Sequence, residues 1–455
     1  MEYTVEDLKK WNNDIEGITK SFGLNYYEQE FEIIGYKDML AYEAYLGMPS
    51  RYPHWSFGKA YEKTNTIYKY NLTGLPYEMV INSDPCIAYL MKDNSLLLQI
   101  LTMAHVYGHN DFFKNNRLFS VGTKADYTVE MFKAHANTVR ELINDPSIGY
   151  EKVERILDAA HAVKLQTHRV IGDKKLEEDE IKKQLLETYR TKSIRQSILD
   201  PYVKIDMPDI GKIPIEPEDD ILNFISKNAD VEDYEKSLLE IVRNETSYFI
   251  PQIETKIMNE GWASYCHYNI LKELKLNDNL HLEFIKRHND VIAPFLGSIN
   301  PYFIGFKIFE NIEKRYGRKK IFEVRKLERD ESFIRKYLTE ELCFELNLFE
   351  YKIEGGDYII KEISDESGWK EIRNTLCNSC GMNTVPSIKV LDMSRKTKTL
   401  ILEHIFDGRE LNMKYAEATL KYVYELWGHT VVLRTRMNGN EVSLLCQDDK
   451  IVMNK

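Results

Sequence analysis

From Ser95 to Met103 the chain is mostly apolar, and this run delivers two histidines, His105 and His109, four residues apart. On a helix, positions four apart share a face and lie about 6 Å apart along the axis. The apolar lead-in places both imidazoles inside the protein. Unpaired polar groups are costly to bury, so the pair must find partners there. One solution is a two-imidazole metal clamp. The plainer solution is a core pair bonded to backbone or carboxylate. A third candidate ligand, Glu260, stands downstream in the stretch Asn259-Glu260-Gly261-Trp262-Ala263-Ser264-Tyr265-Cys266-His267.

With 455 residues the chain exceeds one ordinary core, and two or three domains are expected. Hydrophobic residues make up 43% and aromatic residues 12%, the composition of a globular protein. A net charge of −11 disfavours nucleic acid and an anionic membrane surface as partners. Residues Met1–Asp7 carry neither the basic nor the apolar region of a secretory signal. No stretch approaches the apolar length of a membrane span. Six cysteines do not make a disulfide framework in a chain this long. A cytoplasmic protein is the expectation.

The first two-thirds read mainly as helices. Thr4 can cap a helix that Gly23 ends. Residues 24–90 read as mixed and loop-rich, because Pro49, Pro53 and Pro85 break regular structure. Further helices are expected over 128–144, 150–168, 278–294, 301–316 and 331–340, and Pro251 should break the segment before Glu260. Residues 169–217 read as a solvated Lys/Glu-rich helix followed by an extended arm. After about residue 350 the pattern alternates. Strands are expected over 358–363, 387–391, 399–405 and 430–433, with helices over 369–376 and 415–426. The expected architecture is a mainly α N-terminal domain, residues 1–350, that carries the metal site. A small C-terminal α+β domain, residues 351–455, would follow.

Several segments together resemble the SpoVR family, stage V sporulation protein R and its bacterial relatives. They include Tyr52–Lys59, Ile81–Cys86, His105–Phe113, Leu157–His161, Lys256–Ala263, Ile299–Tyr302 and Tyr337–Thr339. The resemblance runs over essentially the whole chain. It implies a cytoplasmic protein tied to sporulation and spore cortex formation. It also implies association with a PrkA-type serine kinase and a YhbH/YeaH-type protein. The helical part is more weakly similar to zinc metallopeptidases, where a glutamate in a Glu-Gly-Trp-Ala setting is the third zinc ligand. Position 106 departs from that pattern: valine stands where such enzymes carry the glutamate general base.

The candidate metal ligands are His105, His109 and Glu260, with His161 as a fourth ligand or a supporting group. Tyr265 and Asp111 are candidate catalytic groups, a proton donor and an orienter of a ligating imidazole. His54 and His267 are candidate substrate-binding residues. In a chain with 29 tyrosines, packing is the plainer reading of any one of them. Cys377 and Cys380 form a lone CxxC with no second pair, which is not a zinc ribbon. The leading functional reading is a zinc-dependent hydrolase or amidase-like enzyme. One rival is a di-iron or di-manganese centre that also uses His161 and His267. The other is an adaptor for a serine kinase, with no enzymatic activity.

Overall fold

The computed structural model describes residues 3–69, 78–172, 176–199, 207, 209–294, 299–354, 357–363, 365 and 367–454. The chain packs as two compact units, each assembled from two separate stretches. The first comprises residues 1–141 and 247–384, the second residues 142–246 and 385–455. Packing therefore divides the chain differently from the expected boundary at 350/351. The physical reason lies in the helix Gly368–Asn378, whose Ile372, Leu376 and Cys377 join the apolar core around Leu97, Trp262 and Phe309.

The first unit is mainly helical. Its opening helix, Val5–Phe22, starts at a capping box between Thr4 and Asp7 and stops at Gly23, whose φ of 91° suits glycine. The region expected to be loop-rich holds a three-stranded sheet. Strand Cys86–Met91 is central, parallel to Gln29–Ile34 and antiparallel to Glu78–Ile81. Helix Leu96–Asn115 follows, capped by Ser95, and is buried at nearly every position from Leu97 to Phe113. Its neighbours include helices Val5–Phe22, Lys256–Glu273, Asp278–Val291 and Arg318–Leu327, while Pro301–Tyr316 and Asp330–Tyr337 pack on Lys256–Glu273. Pro251 lies inside the helix Asp233–Glu254, which ends three residues later. Strands Phe349–Glu354 and Asp357–Ile363 form a hairpin in this unit.

The second unit contains a five-stranded sheet. In spatial order its strands are Lys450–Asn454, Asn440–Gln447, Val431–Met437, Leu400–His404 and Ile388–Met393. Only Leu400–His404 and Val431–Met437 pair in parallel, and helix Met413–Trp427 connects them. Alternate burial along Leu400–His404 is what a sheet with one covered face requires. Helix Met413–Trp427 packs against Gly149–Val163, and Trp427 stacks on Phe224 with ring centroids 5.9 Å apart. Within the span expected as a solvated helix followed by an arm, helix Glu178–Leu199 is formed; residues 173–175, 200–206 and 208 lie outside the described residues. The chain is thus mainly α, with a small α+β region toward its C-terminus.

Candidate metal centre

Two helices of the first unit meet at glycine. A Cβ on Gly108 would lie 2.7 Å from the Cα of Ala263, so helix Leu96–Asn115 rests directly on the backbone of Lys256–Glu273. Two residues before Ala263, about half a turn round the same helix, a Cβ on Gly261 would lie 2.4 Å from the Cα of Gly305, which brings helix Pro301–Tyr316 equally close. Asp330 fixes the start of the Lys256–Glu273 helix. Its buried carboxylate accepts from the backbone N–H groups of Ile257 and Met258, both at 2.9 Å.

This packing turns four side chains toward one another. The rings of His105 and His109 lie 4.6 Å apart, centroid to centroid. Glu260 Oε2 is 3.6 Å from His109 Nε2 and 3.8 Å from His105 Nε2. Glu78, at the start of its strand, places Oε1 3.8 Å from His105 Nε2. These separations are too long for hydrogen bonds. Accordingly, His105 Nε2, Glu78 Oε2 and Glu260 Oε2 are buried and have no hydrogen-bond partner. Buried polar atoms without partners call for an explanation. Glu78, His105 and His109 form a group whose ligand atoms lie within 4.8 Å of one another, and such a group could hold a metal ion. Two imidazoles and carboxylate oxygens are a donor set that zinc and other first-row divalent metals accept.

The surroundings orient these donors. Asn259 Oδ1 accepts from His109 Nδ1 at 2.9 Å, which leaves the lone pair on Nε2 facing Glu260. His105 Nδ1 meets His267 Nδ1 at 2.9 Å, and His267 Nε2 meets His288 Nδ1 at 2.9 Å. Burial pushes the imidazole of His109 down to about 4 and that of His267 well below its usual value. Both are therefore neutral near pH 7, as metal coordination and its support require. Burial pushes the carboxyl of Glu78 up to about 7. For Glu260 burial acts upward too, but the neighbouring His105, His109 and Tyr302 outweigh it and hold the carboxyl below its usual value.

Of the residues singled out in the sequence, the fold brings His105, His109, Glu260 and His267 together. Asp111, two residues beyond His109, turns into the core. Its carboxylate accepts from Trp262 Nε1 at 2.9 Å and from the backbone of Asn25 at 2.7 Å, with Arg325 Nε 3.5 Å away. The Tyr265 hydroxyl donates to Glu313. His54, ahead of the helix Trp55–Lys69, bonds Ser56 Oγ at 2.7 Å and packs against Trp55 and Phe57. His161 belongs to the helix Gly149–Val163 of the second unit. Two participants carry no local signal in the sequence. Glu78 sits in a short strand with no motif around it, and His288 is one of 11 histidines, with no telling spacing to the rest. Asn259 lies within the Glu260 motif, where its amide is a readable supporting group.

A helical scaffold with a buried two-histidine, two-carboxylate cluster defines a candidate metalloprotein. The chain belongs to the SpoVR family, a sporulation-related protein family. The family described as "SpoVR like protein" matches residues 2–385, and the "SpoVR-like C-terminal domain" matches residues 386–438. The chain is also similar to the uncharacterized protein YcgB of Escherichia coli (strain K12). The two are 32% identical, covering 98% of this chain and 94% of that protein. No solved structure matches the chain. Among the described residues, no helix is long and apolar enough to cross a membrane.

Proposed function

We propose that this protein is a metal-dependent hydrolase of amide bonds, with zinc held by His105, His109 and Glu260. The observation that carries the reading is the convergence of buried, unpartnered acceptor atoms on Nε2 of the two imidazoles. When bound, zinc would polarise a substrate carbonyl and lower the pKa of a water toward ~7. The remaining work falls to the chain itself. Val106 leaves the usual general-base position without a carboxylate, and Glu78 is the group that can serve instead. It reaches the cluster from the neighbouring strand, with Oε1 3.8 Å from His105 Nε2, close enough to take a proton from a water held there. The Tyr302 hydroxyl beside Glu260 is placed to orient that ligand. Both nitrogens of His267 are engaged by other imidazoles, which supports one metal over two.

Membership of a sporulation-related family supports a cell-wall precursor as the substrate and the spore cortex as the process. Action in the cytoplasm beside a PrkA-type serine kinase and a YhbH/YeaH-type protein belongs to the same proposal and rests on the family alone. The test is elemental analysis of untagged protein, together with hydrolysis of amide-linked peptidoglycan precursors. About one equivalent of zinc is expected, with turnover lost to a chelator and restored by zinc. Glu78→Gln should keep the metal and lose turnover. A protein that purifies without metal and takes up none on titration would refute the proposal.

A further inference from the structure

Three imidazoles, His105, His267 and His288, form an unbroken hydrogen-bonded row from the candidate metal centre into the core. All three are buried, at 2%, 0% and 3% exposure, so water does not interrupt the row. Each link joins two ring nitrogens, and a link between neutral imidazoles needs one donor and one acceptor. A neutral ring carries a single N–H. The choice made at one link therefore dictates the next.

Only two arrangements satisfy both links. In the first, His105 Nδ1–H donates to His267 Nδ1, His267 Nε2–H donates to His288 Nδ1, and His288 holds its proton on Nε2. His105 Nε2 then presents a lone pair toward Glu78 and Glu260. In the second, every donor and acceptor is exchanged, and His105 Nε2 carries the proton. A metal can bind His105 only in the first.

We infer that His267 and His288 are positioning residues: with a metal on His105 Nε2, the row accepts the His105 Nδ1 proton and holds the ring in its ligating orientation. The inference rests on the proposed metal site and extends it beyond the ligands. The surroundings show that the row is built as a unit. His288 stacks on Tyr268 with centroids 4.6 Å apart, Phe306 meets its ring edge-on at 5.1 Å, and Phe284 lies 6.1 Å away. Lys272 sits 4.9 Å above the other ring of that stack, Tyr268. His109 Nδ1, by contrast, bonds the amide of Asn259. One ligand thus depends on an Asn and the other on a histidine row.

The experiment compares His267→Gln with His267→Phe in the full chain. Glutamine can accept from His105 Nδ1–H and donate to His288; phenylalanine can do neither. Zinc affinity is read by competition with a chromogenic chelator, and the visible spectrum of the Co²⁺-loaded protein reports the ligand geometry. His267→Phe should lose roughly 10–100-fold in affinity, the usual cost of removing a partner of a ligating histidine. His267→Gln should stay close to wild type in affinity and spectrum. If His267→Phe fails to fold, His288→Phe replaces it. That change touches no ligand, yet it orphans His267 Nε2–H and should weaken zinc in the same direction by a smaller factor. Phenylalanine variants that bind zinc as tightly as the glutamine variant, with an unchanged Co²⁺ spectrum, would overturn the inference. Wild type that binds no zinc would overturn the metal site itself, and this role with it.

Discussion

Replacing Glu78 with Gln in the metal-free protein should make the protein more stable, and by an amount that depends on pH. The Glu78 side chain is only 10% exposed, and burial raises its carboxyl from 4.5 to about 7. Below pH 4.5 the group is neutral in folded and unfolded chains alike and carries no penalty. Between 4.5 and about 7 the unfolded chain has released the proton and the folded chain has kept it. Rising pH then favours unfolding by about 1.4 kcal/mol per unit. Above about 7 both states are ionised and the penalty levels off at roughly 3 kcal/mol. Glutamine fills the same space and cannot ionise. Asp330 and Asp111 are also raised by burial, to about 8 and about 6, so the wild-type curve alone would mix several groups. The difference between wild type and Glu78→Gln isolates Glu78. Urea unfolding of chelator-treated protein from pH 4.5 to 8 measures it. The gap should open with pH in favour of the variant. A gap that does not change with pH would show that Glu78 is not held neutral by burial, and its candidacy as a general base would fall with it.

His109→Ala should remove most of the metal while leaving the helical circular dichroism intact, as metal analysis of the purified variant will show. Gly305→Ala places a Cβ 2.2 Å from the carbonyl oxygen of Ile257, so it should cost at least the ~1–3 kcal/mol of an overpacked core and lower metal content with it. Gly58→Ala is its control, since nothing lies within 4 Å of the new Cβ in a helix, and thermal melts should show a gain of up to ~1 kcal/mol. Asp330→Ala strips two backbone N–H groups of their acceptor at the start of the Glu260 helix. A loss of about 1–3 kcal/mol is expected in denaturant titrations.

Much of this architecture is legible in the sequence where a local rule decides it. Thr4, Asp7 and Gly23 bracket the first helix, and Asn300-Pro301 opens another with its cap and its N1 proline. The small residues Gly261 and Ala263 announce a close helix contact, and the structure shows why Gly108 and Gly305 answer them. The three-stranded sheet is different. Its central strand pairs in parallel with residues over fifty positions earlier, and strands of four to six residues broken by Pro85 leave little periodicity. A signal was available for the hairpin between Val431–Met437 and Asn440–Gln447. The turn is Asn438-Gly439, both at positive φ, the pairing such hairpins favour. Glu78 could not be read in advance. Its role exists only because the strand edge meets His105, and nothing in its neighbouring residues encodes that meeting.

The discontinuous build of both units has a consequence during synthesis. A ribosome releases the two-histidine helix long before Glu260 and Gly305, and the second unit waits for strands that end at Asn454. The first unit can close only once residues up to 384 have emerged, so its N-terminal stretch cannot fold by itself as an early domain would. For about 150 residues of elongation the helix that is buried from Leu97 to Phe113 has no partner for the face that later meets Ala263. Nascent chains stalled between residues 141 and 260 should therefore be held by chaperones or aggregate. Metal can enter the cluster only after most of the polypeptide has left the exit tunnel.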